Sequence, residues 1–268
     1  MNKFIKYSSV IGLIVILFLT FYMLYEPYTL QITRYKLSHP YLKGLKIVFA
    51  TDFHIGKNSR EQKRLQNIIS TINIEVPDLI LLGGDYVKGH KKTSTLPPDI
   101  IAKQLGNLQS VYGIYAVLGN HDSYYGKEII KSALQNVGIH TFDNSSVKLN
   151  IDGNPLYLAG INDYYTDKYD IKKALNYTES PLILLSHSPD TFPEIPQNIL
   201  VLAGHTHGGQ IIFPFIGPLL VPSDYGRRYK YGHIVSESKQ MIVSRGLGTS
   251  LLPLRLNCKP EIVVIEFQ

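Results

Sequence analysis

Two aspartates, one asparagine and four histidines stand in this chain directly behind short apolar runs, and all seven are residue types that bind divalent cations. Asp52 and His54 are spaced Asp-x-His after Phe49-Ala50-Thr51. Asp85 follows Gly83-Gly84, Asn120 follows Gly119, His187 follows Ser186, and His205 and His207 are spaced His-x-His behind Gly204. Carboxylate, amide and imidazole donors suit hard and borderline ions, and two ions take about this many ligands. At a strand end alternate side chains point the same way, so both members of each spaced pair can face one metal. The adjacent glycines let the backbone turn sharply beneath it. One Asp-x-His alone is more often a cap or a surface pair. Five such pieces in order, each behind a buried strand, read as a two-metal site, and paired cations lower the pKa of a water between them for metal-assisted hydrolysis.

Elements that converge must carry such donors. From Leu45 onward, short runs of Val, Ile and Leu alternate with amphipathic stretches, the pattern of buried strands and covering helices. The spacing predicts strands at 45–51, 78–82, 114–118, 157–159, 182–185 and 200–203. Helices are expected at 60–73 and 127–137, the first with Leu65, Ile68, Ile69 and Ile72 on one face. Residues 234–243 and 262–267 read as a closing antiparallel part, and Lys88 to Pro98 as an exposed loop. This is an α/β protein with a mixed sheet, in which strand C-termini meet at one crevice. The 268 residues show no internal repeat and fit one large domain with an appendage.

The appendage is N-terminal. Tyr7 to Tyr25 carry no charge between Lys6 and Glu26, and as a helix they span about 28 Å, close to a bilayer core. The run is apolar all round. No small-x-small cleavage site follows it, since the chain reads Leu24-Tyr25-Glu26-Pro27-Tyr28. Residues 1–27 therefore read as an uncleaved single-pass anchor with Tyr22, Tyr25 and Tyr28 at the interface, and 28–44 as a linker to the domain at 45–268. Lys3 and Lys6 favour a cytoplasmic N-terminus and an extracytoplasmic domain, although Arg34 and Lys36 follow on the other side. The net charge of +6 favours an anionic partner, a phosphorylated substrate or an acidic membrane. Cys258 is the single cysteine, so no internal disulfide forms.

Asp52-x-His54, Gly84-Asp85, Gly119-Asn120-His121-Asp122, His187 and Gly204-His205-x-His207 resemble the five motifs of the calcineurin-like metallophosphoesterases, from about Leu45 onward. Leu185-Ser-His-Ser-Pro-Asp190, His205-Thr-His-Gly-Gly-Gln210, Pro218-Leu-Leu-Val-Pro-Ser-Asp-Tyr-Gly226 and Ser244-Arg-Gly-Leu-Gly248 resemble the bacterial branch with an N-terminal membrane or export segment. That branch is described as phosphodiesterases and includes hydrolases of UDP-2,3-diacylglucosamine. The resemblance implies a four-layer αββα sandwich of two mixed sheets and two divalent ions, manganese, iron or zinc. By residue, it implies that Asp52, His54 and His207 bind one metal and Asn120, His187 and His205 the other, with Asp85 bridging. A hydroxide formed between the metals would attack phosphorus in line with the leaving oxygen, and both ions would offset charge on the phosphoryl oxygens. His121, beside a ligand, is the implied proton donor to the leaving group.

The chain departs from a common pattern at Lys88, three residues after Asp85, where many relatives carry an aspartate that supports this histidine; Asp122 is the substitute at hand. Lys88 itself reads as a solvated surface lysine rather than a phosphate contact.

Arg227, Arg228 and Lys230 form a basic cluster after the apolar stretch Ile211 to Val221, and Arg245 sits in a glycine-containing turn. Arg227, Arg228 and Arg245 are the substrate-binding candidates, a charged rim for phosphate or lipid headgroups beside an apolar surface. A buried turn with solvated arginines behind it is the competing reading. Three functions are open: a phosphodiesterase or pyrophosphatase on a membrane- or envelope-linked phosphate ester, a broad phosphatase or nuclease, and a non-catalytic metal-binding scaffold. A nuclease needs a long basic groove with stacking aromatics, which the scattered Lys and Arg do not draw, so no nucleic-acid partner is expected. A scaffold would be expected to have lost ligands, and all seven are present.

Overall fold

Lys46–Ala50, Leu79–Leu82, Leu182–Leu185 and Leu200–Ala203 are strands whose residues are buried on both faces, as continuous apolar runs require. Alternation sends Ile47, Phe49, Leu79 and Leu81 to one side and Val48, Ala50, Ile80 and Leu82 to the other. The computed structural model describes residues 3–89, 93–176, 178–180, 182–196, 198–236 and 238–268, with side-chain environments from residue 7. Lys3 and Lys6, on which the orientation argument leans, therefore lie outside the described side chains.

In chain order the elements are α1 (Lys3–Tyr25), β1 (Gln31–Leu37), β2 (Lys46–Ala50), α2 (Ser59–Ile74), β3 (Leu79–Leu82), α3 (Pro98–Leu105), β4 (Ile114–Ala116) and α4 (Asn120–Gln135). There follow β5 (His140–Thr141), β6 (Ser145–Ile151), β7 (Asn154–Gly160), α5 (Ile171–Ala174), β8 (Leu182–Leu185) and β9 (Leu200–Ala203). The last are β10 (Ile212–Phe213), β11 (Gly217–Pro218), β12 (Gly232–Ser236), β13 (Lys239–Val243) and β14 (Glu261–Phe267). One sheet runs β1-β14-β2-β3-β4-β5 and the other β12-β13-β9-β8-β7-β6. The two sheets face each other across a core that includes Phe49, Leu81, Leu158, Leu185 and Leu202. Helices α2, α3 and α4 cover the outside of the first sheet through Leu65, Ile68, Ile101 and Leu134. The outside of the second is covered by α5 and by Phe192, Ile195 and Tyr229. This is the expected four-layer arrangement, with a thin fourth layer.

Four expectations are corrected. The 28–44 stretch is more than a linker: β1 pairs in parallel with β14 and is an edge strand of the first sheet. Its residues are only partly buried, and Arg34 and Lys36 within it give a tether's composition. The closing antiparallel part holds for 234–243, where β12 and β13 pair antiparallel, but only in part for 262–267: β14 is antiparallel to β2 yet lies inside its sheet, parallel to β1 on the other side. The stretch from Lys88 to Pro98, described except for 90–92, is not simply exposed, because Thr95 and Leu96 are buried and Thr95 Oγ1 donates to Ile55 O at 2.8 Å. The helix expected at 127–137 begins earlier, at Asn120, and bends at Gly126, whose φ of 141° no other residue adopts cheaply.

Helix α1 stands outside these layers. Its side chains from Val10 to Phe18 are largely exposed, and Tyr7–Tyr28 is long and apolar enough to cross a bilayer. Its end is fastened to the domain. Arg255 N–H donates to Met23 O at 3.0 Å, and the buried Glu26 carboxylate accepts from Asn257 N and Cys258 N at 3.0 and 2.6 Å.

Candidate functional site

The segments after β2, β3, β4, β8 and β9 meet at one end of the two sheets, and each delivers its polar residues there. On one side, His54 Nε2 lies 3.1 Å from His207 Nε2 and 3.9 Å from Asp52 Oδ1, and His207 Nε2 lies 3.4 Å from the same oxygen. On the other, His187 Nε2 lies 3.2 Å from Asn120 Oδ1, and His205 Nδ1 lies 3.1 Å from Asn120 Oδ1 and 3.3 Å from His187 Nε2. Asp85 stands between them: its Oδ2 is 3.4 Å from His54 Nε2 and 3.3 Å from His187 Nε2. All seven residues named from the sequence are thus brought together.

The turns that carry them are strained. Asp52, His54, Asp85, His205 and His207 have φ of 56°, 44°, 57°, 69° and 51°, a left-handed region that costs a non-glycine residue about 1–3 kcal/mol. Glycines supply room. A Cβ on Gly119 would fall 2.2 Å from Asp85 Oδ1, and one on Gly204 would fall 2.3 Å from Asp52 Oδ2. Hydrogen bonds hold the bends: Asp52 accepts from His205 N at 3.0 Å and from Thr51 Oγ1 at 3.0 Å, and His187 Nδ1 meets Gly83 O at 2.7 Å. That last contact turns His187 Nε2 toward Asp85.

The donor set fits divalent metal ions. Asp52, His54 and His207 offer ligand atoms within 4.8 Å of one another, as do Asp52, Asp85 and His187, and also His54, Asp85 and His121. Without a cation the cluster is electrostatically awkward. Burial and the neighbouring Asp85 charge push the Asp52 carboxyl up to about 6, against the pull of His187 and of hydrogen bonds. Burial lowers His54 to about 3 and drives His207 well below the ordinary range. A cation reverses that logic by favouring carboxylate and neutral imidazole together.

His121 sits at the start of α4, half-buried, with its backbone N–H donating to Asp85 Oδ1 at 2.9 Å. Its ring meets His54 edge-on, 4.6 Å between centroids. Asp122 has other work than supporting this ring: its carboxylate accepts from the backbone N–H of Asp85, Tyr86 and Gly119 at 2.7, 2.9 and 3.0 Å and so ties the β3 and β4 loops together. Lys88 is half-buried and lies toward Glu61 and Gly56.

The arginines divide. Arg227 donates to Ile216 O and Pro218 O at 3.0 and 2.9 Å and braces the β10–β11 hairpin. Arg245 pairs with Glu261 at 2.6 Å and reaches Thr33. Both guanidinium groups are thus engaged within the protein, where local sequence gave them no visible partner. Arg228 is exposed, 5.3 Å over the Tyr229 ring.

Sequence reasoning missed three contributors. Arg64 of α2, paired with Glu61 at 2.8 Å, donates to Phe53 O at 2.6 Å and Leu247 O at 3.0 Å, clamping the backbone inside the Asp-x-His turn. Tyr165 stacks on His205 at 4.9 Å and donates its hydroxyl to Asp190. The wholly buried Arg255 donates to the carbonyls of Arg245, Gly246, Gly248 and Cys258 and shapes the turn beside Asp52. A helical arginine facing inward was a signal for the first; the other two depend on contacts between distant segments.

A family model described as calcineurin-like phosphoesterase matches residues 45–209. The uncharacterized metallophosphoesterase YkuE of Bacillus subtilis is 33% identical over 254 residues, covering 91% of this chain and 87% of its own length. The phosphodiesterase YaeI of Escherichia coli is 30% identical over 256 residues, covering 91% of both. A transmembrane protein with a metallophosphoesterase domain from Danio rerio is 33% identical over 242 residues, 84% of this chain and 53% of that protein. Among solved structures, the sulfate thiohydrolase SoxB of Thermus thermophilus aligns with a TM-score of 0.51 at 11% identity, over 85% of this chain and 58% of that one, a likeness of fold. With the motif residues gathered at the ends of two facing mixed sheets, this chain belongs to the calcineurin-like phosphoesterase family, hydrolases of phosphoric ester bonds.

Proposed function

We propose that this chain is a membrane-anchored phosphodiesterase in which Asp52, His54 and His207 hold one divalent cation, Asn120, His187 and His205 hold the other, and Asp85 is shared. The observation that carries this reading is the position of the Asp85 carboxylate, 3.4 Å from His54 and 3.3 Å from His187. It touches both halves of an otherwise divided donor set. When bound, two cations, manganese, iron or zinc, supply the attacking hydroxide and offset charge on the phosphoryl oxygens. The chain's own residues do the rest. Gly119 and Gly204 keep the floor open, Arg64 holds the Asp-x-His turn, and His121, within reach of the same centre, delivers a proton to the leaving oxygen. Arg228, exposed and not engaged by a backbone carbonyl as Arg227 is, is the arginine offered to a substrate phosphate.

The diester reading draws on the likeness to a relative named as a phosphodiesterase. The anchor reading draws on the exposed apolar helix, with the domain on the extracytoplasmic side and a lipid-linked or envelope phosphate ester as substrate. The test is to load the full-length protein with manganese and compare bis-p-nitrophenyl phosphate with p-nitrophenyl phosphate, using Asp85→Asn as control. Metal-dependent cleavage of the diester, lost in the variant, supports the reading. Preference for the monoester moves it to a phosphatase, and two bound metals without turnover move it to a scaffold.

A further inference from the structure

One face of the molecule displays large apolar side chains to solvent. Phe215, Ile216, Leu219 and Leu220 project from the β10–β11 hairpin and its exit, and Leu251 and Leu252 from the loop before Arg255; Phe215 is fully exposed and Leu251 is 89% exposed. Phe215 and Leu251 also have φ of 65° and 55°. Bulky residues rarely adopt that conformation, and a glycine would cost less. Exposed apolar side chains grouped in this way mark an interaction surface.

The two loops are one unit. Gln210 Nε2 donates to Ser250 O and Leu252 O, both at 3.1 Å, and Ile212 N–H donates to Leu256 O at 2.8 Å. Between them runs a groove of about 270 Å³ lined by Ile211, Leu219, Leu220, Leu251 and Leu252, with His207 at its inner end. The same segment receives the end of α1, through Arg255 N–H on Met23 O and the Glu26 carboxylate on Asn257 and Cys258. The apolar tips are therefore tied to the point where the membrane-spanning candidate leaves the domain, and exposed Arg228 lies on the helical turn from which Arg227 braces this hairpin.

We propose that this face seats in the bilayer to which α1 anchors the chain, and that the groove admits one acyl chain of a lipid phosphodiester whose phosphate reaches His207 and its neighbours. This rests on the phosphodiesterase reading and names its substrate class. Apolar tips entering the acyl boundary beside basic residues at headgroup level are the chemistry of an interfacial seat on an anionic membrane.

The chain has no tryptophan, so one introduced indole reports its own surroundings. Full-length Phe215→Trp, reconstituted in phosphatidylcholine–phosphatidylglycerol vesicles with brominated acyl chains, should lose most of its fluorescence. Val111→Trp, ahead of β4 at the opposite end of the sheets, should keep it. Equal quenching at both positions, or none at 215, overturns the seat. For the groove, manganese-loaded protein is given p-nitrophenyl phosphodiesters carrying a hexadecyl or a methyl chain. The expected kcat/KM ratio favours hexadecyl by about tenfold or more, and Leu251→Asp pulls the ratio toward one. A ratio near one in the wild type overturns the groove. Quenching at 215 without hydrolysis of either diester overturns the phosphodiesterase reading instead.

Discussion

His54 and His207, both buried, meet Nε2 to Nε2 at 3.1 Å. Burial keeps both imidazoles uncharged, so the space between them suits a shared proton or a shared cation. His207→Ala should lower bound metal from about two ions per chain to about one, by elemental analysis after dialysis. Activity should fall by more than the roughly 10–100-fold that loss of an outer partner costs. Unchanged stoichiometry would assign the metals to other ligands.

Gly119 and Gly204 are predicted to be irreplaceable for steric reasons alone. Gly119→Ala drives a methyl group to 2.2 Å from Asp85 Oδ1, and Gly204→Ala to 2.3 Å from Asp52 Oδ2. Each should cost about 1–3 kcal/mol of stability and most of the metal affinity, with the far-ultraviolet circular dichroism retained. Full activity in either alanine variant would show that the Asp52 and Asp85 carboxylates do not need the positions seen here.

His121 as proton donor makes a prediction about leaving groups. His121→Gln should slow an alkyl leaving group by about 10²–10⁴-fold, while p-nitrophenolate, which leaves without a proton, is slowed far less. A uniform loss across leaving groups would make His121 a positioning residue. Because Asp122 is occupied by four backbone N–H groups, those of Asp85, Tyr86, Val87 and Gly119, Asp122→Asn should injure folding or metal binding before it alters that leaving-group dependence.

Asp143 supplies a pH dependence away from the metals. Burial pushes its carboxyl up, but hydrogen bonds from Asn162, Lys131 and Lys127 outweigh this and bring it down to about 2 from 3.8. A carboxyl lowered by folding stabilises the protein above its unfolded value and loses that contribution as pH falls through the folded one. The wild type should therefore melt above Asp143→Asn at neutral pH, and the two curves should converge between about pH 4 and pH 2. Parallel curves down to pH 2 would show that the Lys127 and Lys131 pairs add no stability.

Legibility in the sequence followed locality. Leu182–Leu185 and Leu200–Ala203 were readable because short apolar runs, Leu182 to Leu185 between Pro181 and Ser186 and Ile199 to Ala203 between Asn198 and Gly204, leave little choice. The seven donors were readable because each follows such a run directly. Illegible were roles assigned across the chain: β1 looks like a charged tether until Glu261 and the rest of β14 lie beside it, and Arg245 looks like a free cation until Glu261 and Thr33 meet it. Tyr165 carries no mark of its stacking on His205, because their contact joins segments 40 residues apart only in the folded chain.

The pairing of β1 with β14 sets an order of assembly. Thr33 Oγ1 donates to Glu261 at 2.5 Å across 228 positions of sequence, and β14 also separates β1 from β2. During synthesis β1 emerges long before β14 and waits for almost the whole domain to follow before its neighbour exists. Contacts so distant are slow to form. An unpaired strand exposed for that long invites the wrong partner.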